Sequence, residues 1–429
     1  MFCYQCEQTA GGSGCIKSGV CGKDPDIQSL QDILVFGLKG IAAYAFHARE
    51  LGFKDEEVDA FMHQALFKTL TNVSFDPGQY LEMVLECGRV NLKAMELLDK
   101  ANTSNFGNPI PVQVQTGTVK GPGIVVTGHD LLDLYELLKQ SQGKGVNIYT
   151  HGEMLPAHGY PKLKAFKHLV GNYGGAWQEQ KKEFNNFSGA MLVTTNCVQI
   201  PPEGSYLDRL FTTGIAGVAG ARHIERKDFS ALIEKALSLP ALPEAPAKEI
   251  LTGFHHTAIL GIADKLIAAV KSGKIKRFFL IGGCDGAKPG RNYYTEFAQS
   301  VPQDCLILTL ACGKYRFNKL DFGSIEGIPR LIDIGQCNDA YSAIRVALAL
   351  AKAFNCGVNE LPLSFVLSWY EQKAVAILLT LLALGIKGMR IGPTPPAFIT
   401  PGVFKILQEN YGLRLITTAK QDLAEIMGK

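Results

Sequence analysis

Apolar positions recur at helical spacing three times near the start of the chain, in SLQDILVFGLKGIAAYAFHARELG, DEEVDAFMHQALFKTL and PGQYLEMVLECGRVNLKAMELLDKAN. Residues recurring every three to four positions form one buried stripe per helix, so the stretch from about Asp26 to Ala101 predicts a three-helix bundle. Asp55 and Pro77 suit helix starts and Gly52 a stop. The next segment, TSNFGNPIPVQVQTGTVKGPG, loses that period and fills with Asn, Thr, Pro and Gly, which predicts a linker. From Ile124 onward short β-branched runs alternate with helical stretches, the pattern of a parallel sheet wrapped by helices. A break near LSLPALPEAPAKE separates two such units. The expected fold is therefore multidomain α/β: an N-terminal three-helix bundle followed by two Rossmann-like α/β domains, with boundaries at residues 1–105, 106–245 and 246–429.

The β-branched runs end in an unusual way. IVVTGHD closes on His129 and VNIYTHGEM carries His151 and Glu153; AMLVTTNC, RFFLIGGCDG, CLILTLACGK and RLIDIGQC bring Cys197, Cys284, Cys312 and Cys337. The carboxyl ends of the strands of an open parallel sheet face one crevice, so residues far apart in sequence can converge there. Mixed sulfur, imidazole and carboxylate donors in that number exceed the four that one tetrahedral zinc takes, and point to a polynuclear cluster. A second constellation, Cys3, Cys6, Cys15 and Cys21, is spaced C-x2-C-x8-C-x5-C among Gly11, Gly12, Gly14, Gly19 and Gly22. Four thiolates on a glycine-rich loop suit an iron-sulfur cluster. Zinc is the competitor, but its structural sites usually use two C-x2-C pairs and this loop has one.

Each residue also has a plainer reading. A cysteine after a strand is often a small core hydrophobe, the role expected of Cys87, Cys305 and Cys356. His129 precedes Asp130 at a strand-to-helix turn, where it could help a cap. His151 and His158 flank Glu153 and would orient it from behind. Glu371 opens an apolar helix, where its charge would suit the helix dipole, and Lys373 would ordinarily be a solvated lysine. Gly214, Gly217 and Gly220, like Gly282, Gly283 and Gly286, do not make the G-x-G-x-x-G of a dinucleotide site; the glycines beside Cys284 would let the backbone approach a cluster.

Composition narrows the class. With 43 Lys plus Arg against 40 Asp plus Glu, the net charge is +3 and no basic run suits nucleic acid. The N-terminus lacks the apolar core of a signal peptide, and the longest apolar run, Ala374–Ile386, is short for a bilayer span and reads as a buried helix. Eleven cysteines without a secretory signal imply a reducing compartment, the cytoplasm.

Several segments are characteristic together: MFCYQCEQTA, TGHD, YTHGEMLPAHGYP, GNYGGAW, TTNC, FFLIGGCDG, LACGKYRFN, DIGQCNDAYS, SWYEQKAV and IGPTPPAF. They span nearly the whole chain, which resembles the hybrid cluster proteins, also called prismane proteins or hydroxylamine reductases. The resemblance implies a 4Fe-4S cubane on Cys3, Cys6, Cys15 and Cys21. It also implies a hybrid four-iron cluster with mixed sulfur and oxygen bridges on His129, Glu153, Cys197, Cys284, Cys312, Cys337 and Glu371. Cys284 matches the family's persulfide cysteine, and Lys373 a lysine beside the cluster. Longer members have two helical repeats before the first sheet domain; this chain has room for one, which places it in the short class. The implied chemistry is two-electron reduction of hydroxylamine to ammonia and water, or of nitric oxide to nitrous oxide. Electrons would come from a donor protein through the cubane, and Glu153, Glu371, Lys373 and His158 would carry protons. A homodimer is the candidate assembly, with no membrane or nucleic-acid partner. Three alternatives stand beside this one. A carbon monoxide dehydrogenase-like enzyme would need nickel, whereas two glutamates favour oxygen-bridged iron; a nitric-oxide-sensing or protein S-nitrosylating protein would react stoichiometrically; a two-cluster electron carrier would not need an open, mixed-ligand site.

Overall fold

The computed structural model describes residues 1–245, 248–285 and 291–428. Gly286, and Pro246 and Ala247 at the expected domain break, lie outside the described residues. Helices α1 (Pro25–Glu50), α2 (Glu56–Lys68) and α3 (Pro77–Phe106) form where the apolar spacing predicts them. Each start has its own device: the carboxylates of Asp24, Asp55 and Asp76 accept backbone N–H groups of the first turn, and α1 and α3 begin with Pro25 and Pro77, whose missing N–H costs nothing there. Gly52, at φ +86°, takes the left-handed turn after α1.

By length and composition α1 could cross a membrane. The apolar run read from sequence was Ala374–Ile386, so α1 is the helix that reading passed over. In the fold α1 is a core helix, with Leu34, Ile41, Tyr44 and Ala48 wholly enclosed. It packs against α3 and against a helix from the far end of the chain, α4 (Gln372–Ala383). Glycines permit that close approach. A Cβ at Gly40 would overlap the Ala376 methyl, and one at Gly88 would overlap the Leu379 carbonyl. The bundle and the second sheet thus share one hydrophobic core.

The two sheets repeat one topology. The first contains β1 (Gly123–Thr127), β2 (Asn147–His151), β3 (Leu169–Asn172), β4 (Ala190–Val193), β5 (Leu210–Thr213) and β6 (Arg222–Ile224), ordered 3-2-1-4-5-6 and all parallel. The second contains β7 (Arg277–Gly283), β8 (Cys305–Thr309), β9 (Leu331–Asp333), β10 (Leu363–Ser368), β11 (Arg390–Gly392) and β12 (Arg414–Leu415) in the equivalent order, again all parallel. β1 and β4 in one sheet, and β7 and β10 in the other, flank the point where strand order reverses, the place where such sheets bind ligands. Part of the first expected linker is a strand: Val112–Gln115 pairs antiparallel with Glu249–Thr252, so the chain entering the first sheet domain is zipped to the start of the second.

Candidate metal centre

Seven candidate residues follow strand ends in both sheets. His129 comes two residues after β1, Glu153 two after β2 and Cys197 four after β4; Cys284 directly follows β7, Cys312 comes three after β8, Cys337 four after β9 and Glu371 three after β10. The closest grouping draws on both sheets: one donor atom each of His129, Glu153 and Cys337 lies within 4.8 Å of the other two. Glu153 Oε2 accepts the Cys337 N–H at 2.7 Å and lies 3.9 Å from His129 Nε2. His129 Nδ1 is held by the Thr195 hydroxyl at 2.9 Å, which leaves Nε2 as the free donor nitrogen. Burial, followed by the Lys373 charge, drops this imidazole well below its ordinary pKa, so it is the neutral form that ligates metals.

The remaining donors belong to the same buried pocket. Burial pushes the thiols of Cys197, Cys284, Cys312 and Cys337 well above their ordinary range. The next influence is Glu371 on Cys197 and Cys284 and Glu153 on Cys312; on Cys337 it is the Lys373 ammonium, which pulls the other way. Lys373, only 2 % exposed, is not the solvated lysine of the plainer reading. Burial alone would lower its pKa, but Cys337, Glu371, Cys197 and Glu153 hold it above the ordinary value. Glu371 occupies the N-cap of α4, yet its side chain accepts no N–H of that helix, which leaves the carboxylate free for the pocket. Asp130, not His129, caps the helix after β1.

Backbone strain gathers here. Cys197 has φ +70°, and Ala311, just before Cys312, has φ +65° and ψ −172°, a region costing about 1–3 kcal/mol for a residue with a Cβ. At Gly282 and Gly283, beside Cys284, the neighbouring strands supply a reason of their own. A Cβ on Gly283 would overlap the Ser368 carbonyl of β10, and one on Gly282 would come 3.0 Å from the Leu310 carbonyl, so neighbouring backbone demands them.

The described hydrogen bonds of His151 and His158 do not reach Glu153. His151 joins Thr127 at 3.0 Å and Glu183 at 2.8 Å. His158 joins the Thr150 hydroxyl at 3.0 Å, and burial pushes it down to about 4. The group that holds Glu153 from behind is Gln336, whose amide donates to the Glu153 carbonyl at 2.6 Å and the His129 carbonyl at 3.4 Å, bridging the two sheets. Sequence reasoning missed it, although it adjoins Cys337. It also missed Lys314, wholly buried and bonded to Asp333 at 2.6 Å and to the Gly335 carbonyl at 2.7 Å, which locks the Cys312 turn to the Cys337 turn. The one available signal was a lysine two residues after Cys312, at the end of the apolar run CLILTLACG. Tyr44 of α1, and Trp177 stacked on Tyr370 at 3.9 Å, also border the pocket.

The donor set fits an anionic cage for several metal ions. Two buried oxygens at the pocket, Glu153 Oε1 and the Tyr44 hydroxyl, have no hydrogen-bond partner among the described residues. Four thiols and a buried carboxylate held above their ordinary pKa are costly to ionise unless cations balance them. An apolar cavity of about 90 Å³ extends from Cys284, Cys337 and Ala311 to Leu348 and Val358 under the helix Ala340–Phe354.

At the N-terminus Cys3 and Cys15 exchange backbone hydrogen bonds at 3.0 and 2.7 Å, and Gly11, Gly12, Gly14 and Gly22 adopt positive φ around them. All four cysteines there are free thiols, and Cys15 is drawn below its ordinary value by the backbone N–H groups of Ala10 and Val20. A loop of four free thiols and backbone donors fits a thiolate-bound cluster. Cys87 and Cys305 are wholly buried away from both centres and Cys356 half-buried, as expected of packing cysteines.

Comparison with known proteins agrees with this architecture. The family described as Prismane/CO dehydrogenase matches residues 1–84 and 51–424. A protein named hydroxylamine reductase from Moorella thermoacetica is 68% identical over 428 residues, covering 100% of both chains. Another of that name from Thermotoga maritima is 54% identical over 428 residues, covering 100% of this chain and 99% of its own. One from Geobacter metallireducens, 48% identical, aligns over 548 positions and so carries a segment that the 429 residues here lack. Among solved structures, carbon monoxide dehydrogenase IV from Carboxydothermus hydrogenoformans has a TM-score of 0.81 at 17% identity, covering 100% of this chain and 92% of that one. At that identity the likeness is one of fold.

Proposed function

Because the chain belongs to the Prismane/CO dehydrogenase family, we propose that it reduces hydroxylamine to ammonia and water at the pocket between its two sheets. The observation that carries the proposal is the convergence of His129, Glu153 and Cys337, two of them from one sheet and one from the other, on a buried point around which three further cysteines and Glu371 are arranged. His129, Glu153, Cys197, Cys284, Cys312, Cys337 and Glu371 would hold the hybrid cluster, with Cys284 as the persulfide position, and Cys3, Cys6, Cys15 and Cys21 a 4Fe-4S cubane. When bound, these clusters supply the electrons and an open iron for the substrate.

The protein's own part is to deliver protons and exclude water. Hydroxylamine takes up two electrons and two protons; the N–O bond breaks, and the oxygen leaves as water. Lys373 holds a positive charge against the donor set, and Glu371, uncommitted as a cap, is the carboxylate free to move a proton. His158, hydrogen-bonded to the Thr150 hydroxyl, would be a further proton carrier. A second reading, reduction of nitric oxide to nitrous oxide, is favoured by the apolar cavity, which suits a small uncharged gas.

The test is anaerobic turnover with reduced viologen, normalised to iron, with ammonia quantified. Glu371→Gln retains shape and one acceptor oxygen but cannot shuttle a proton. It should keep its iron and slow ammonia formation by about two to four orders of magnitude. Wild-type turnover with a lowered melting temperature would assign Glu371 to structure instead.

A further inference from the structure

Lys23, two residues beyond Cys21, is wholly buried. Its ammonium donates to Gln28 Oε1 at 3.0 Å and Gln31 Oε1 at 2.6 Å, both uncharged amides on α1, and its third near neighbour is Cys3 Sγ at 4.0 Å. Among the described residues no carboxylate forms an ion pair with it; the nearest connection is indirect, through the Gln28 amide that donates to Asp32 at 2.9 Å. The amides are themselves fixed, since Gln31 Nε2 donates to the Tyr80 hydroxyl at 2.8 Å and to the Leu70 carbonyl at 3.2 Å. The loop also closes over the lysine: Gly19 N–H donates to the Lys23 carbonyl at 2.7 Å, and a Cβ at Gly19 would crowd both Lys23 Cβ at 3.0 Å and Cys21 Sγ at 3.2 Å. An ammonium removed from water without an anion is costly, so a fold that builds such a site needs a negative partner in it.

Resting on the reading that Cys3, Cys6, Cys15 and Cys21 carry an iron-sulfur cluster, we propose that Lys23 is the built-in counter-charge of that cluster and sets its reduction potential. The four thiolates make the cluster anionic, and one added electron makes it more so. A fixed positive charge 4.0 Å from one ligating sulfur stabilises the reduced form more than the oxidised form. The step is electron transfer alone: one electron arrives from an external donor, and no bond or proton moves. The amides of Gln28 and Gln31 hold the ammonium without neutralising it, which a carboxylate in either place would do.

The experiment is an anaerobic redox titration of the iron-loaded protein, followed by the electron paramagnetic resonance of the reduced cubane, on wild type, Lys23→Met, Lys23→Gln and Lys23→Arg. Removing the charge should lower the equilibrium constant for one-electron reduction at least about tenfold, about 59 mV for such a couple, while Lys23→Arg stays near wild type. Both neutral variants failing to load the cubane while Lys23→Arg loads it would also support the counter-charge. An unchanged potential in a loaded neutral variant would overturn it, as would a failure of Lys23→Arg to load, which would make Lys23 a packing residue. A wild-type protein without the cubane signal would instead refute the cluster reading itself.

Discussion

Gln336 is the sharpest structural commitment of the site, because one amide joins ligand turns from two different sheets. Replacing it with Met keeps the volume of this buried side chain, only 2 % exposed, and removes both donors. The bond to the Glu153 carbonyl, at 2.6 Å, is short and enclosed; the one to His129, at 3.4 Å, is at the long end and weaker. A buried acceptor that loses its donor costs about 1–3 kcal/mol, so one full loss plus part of another gives roughly 2–4 kcal/mol. For domains of 150–250 residues each kcal/mol moves the Tm by about 2–4 °C, so the iron-free variant should melt roughly 5–15 °C below wild type. Glu153 and His129 also lose their common tether, so iron retained after gel filtration under anaerobic conditions should fall at the site between the sheets and not at the N-terminal cysteines. Melting of the iron-free protein separates folding from loading, and cluster-specific paramagnetic resonance separates the centres. A Gln336→Met protein with unchanged Tm and full iron would show that the bridge carries no weight.

Two further outcomes follow from the packing. Gly88→Ala puts a methyl into the Leu379 carbonyl and should push α4 off α3 at a cost of about 1–3 kcal/mol, perturbing the spectrum of the site because Glu371 and Lys373 open α4; Gly217→Ala, which meets nothing within 4 Å, is the control, and equal melts would refute the contact. His158 takes up its proton near 6.5 when unfolded and only near 4 when folded, so stability falls as pH drops through that window; between its two ends wild type should lose about 3 kcal/mol more than His158→Gln in urea titrations, and parallel losses would mean the ring is not buried neutral.

What the sequence disclosed, and what it hid, follows from the range over which each signal acts. Helix starts at Asp55 and Pro77 are local chemistry, readable within four residues, and appear where expected. The strand-end positions of Cys284, Cys312 and Cys337 were readable because parallel strands leave their chemistry at the carboxyl end whatever else the fold does. The partner of the α1–α3 bundle was not readable. Periodicity marks an apolar face without naming what covers it, and α4 lies almost three hundred residues away, so Gly40 and Gly88 looked like ordinary helical glycines. Gln336 and Lys23 were hidden for another reason. Their importance comes from burial against backbone carbonyls, neutral amides and a thiol, and nothing in the identity of a glutamine or a lysine announces that. The histidines flanking Glu153 illustrate the converse: adjacency in HGEMLPAH suggested that they orient the carboxylate, but the end of β2 and the following turn send His151 to Glu183 and His158 to Thr150.

The central claim is that two separate cysteine-based iron centres exist in one chain, one at the N-terminus and one between the sheets. The direct measurement is iron and acid-labile sulfide per chain, with paramagnetic resonance of the reduced protein, for wild type, a Cys3→Ala/Cys6→Ala double variant and Cys337→Ala, all purified without oxygen. The account predicts that the double variant loses the cubane signal and keeps the other centre, that Cys337→Ala does the reverse, and that both fail to turn hydroxylamine over with a viologen donor, the first for want of electrons and the second for want of the site. Loss of all iron in either folded variant, or ammonia formed at the wild-type rate by Cys337→Ala, would contradict it.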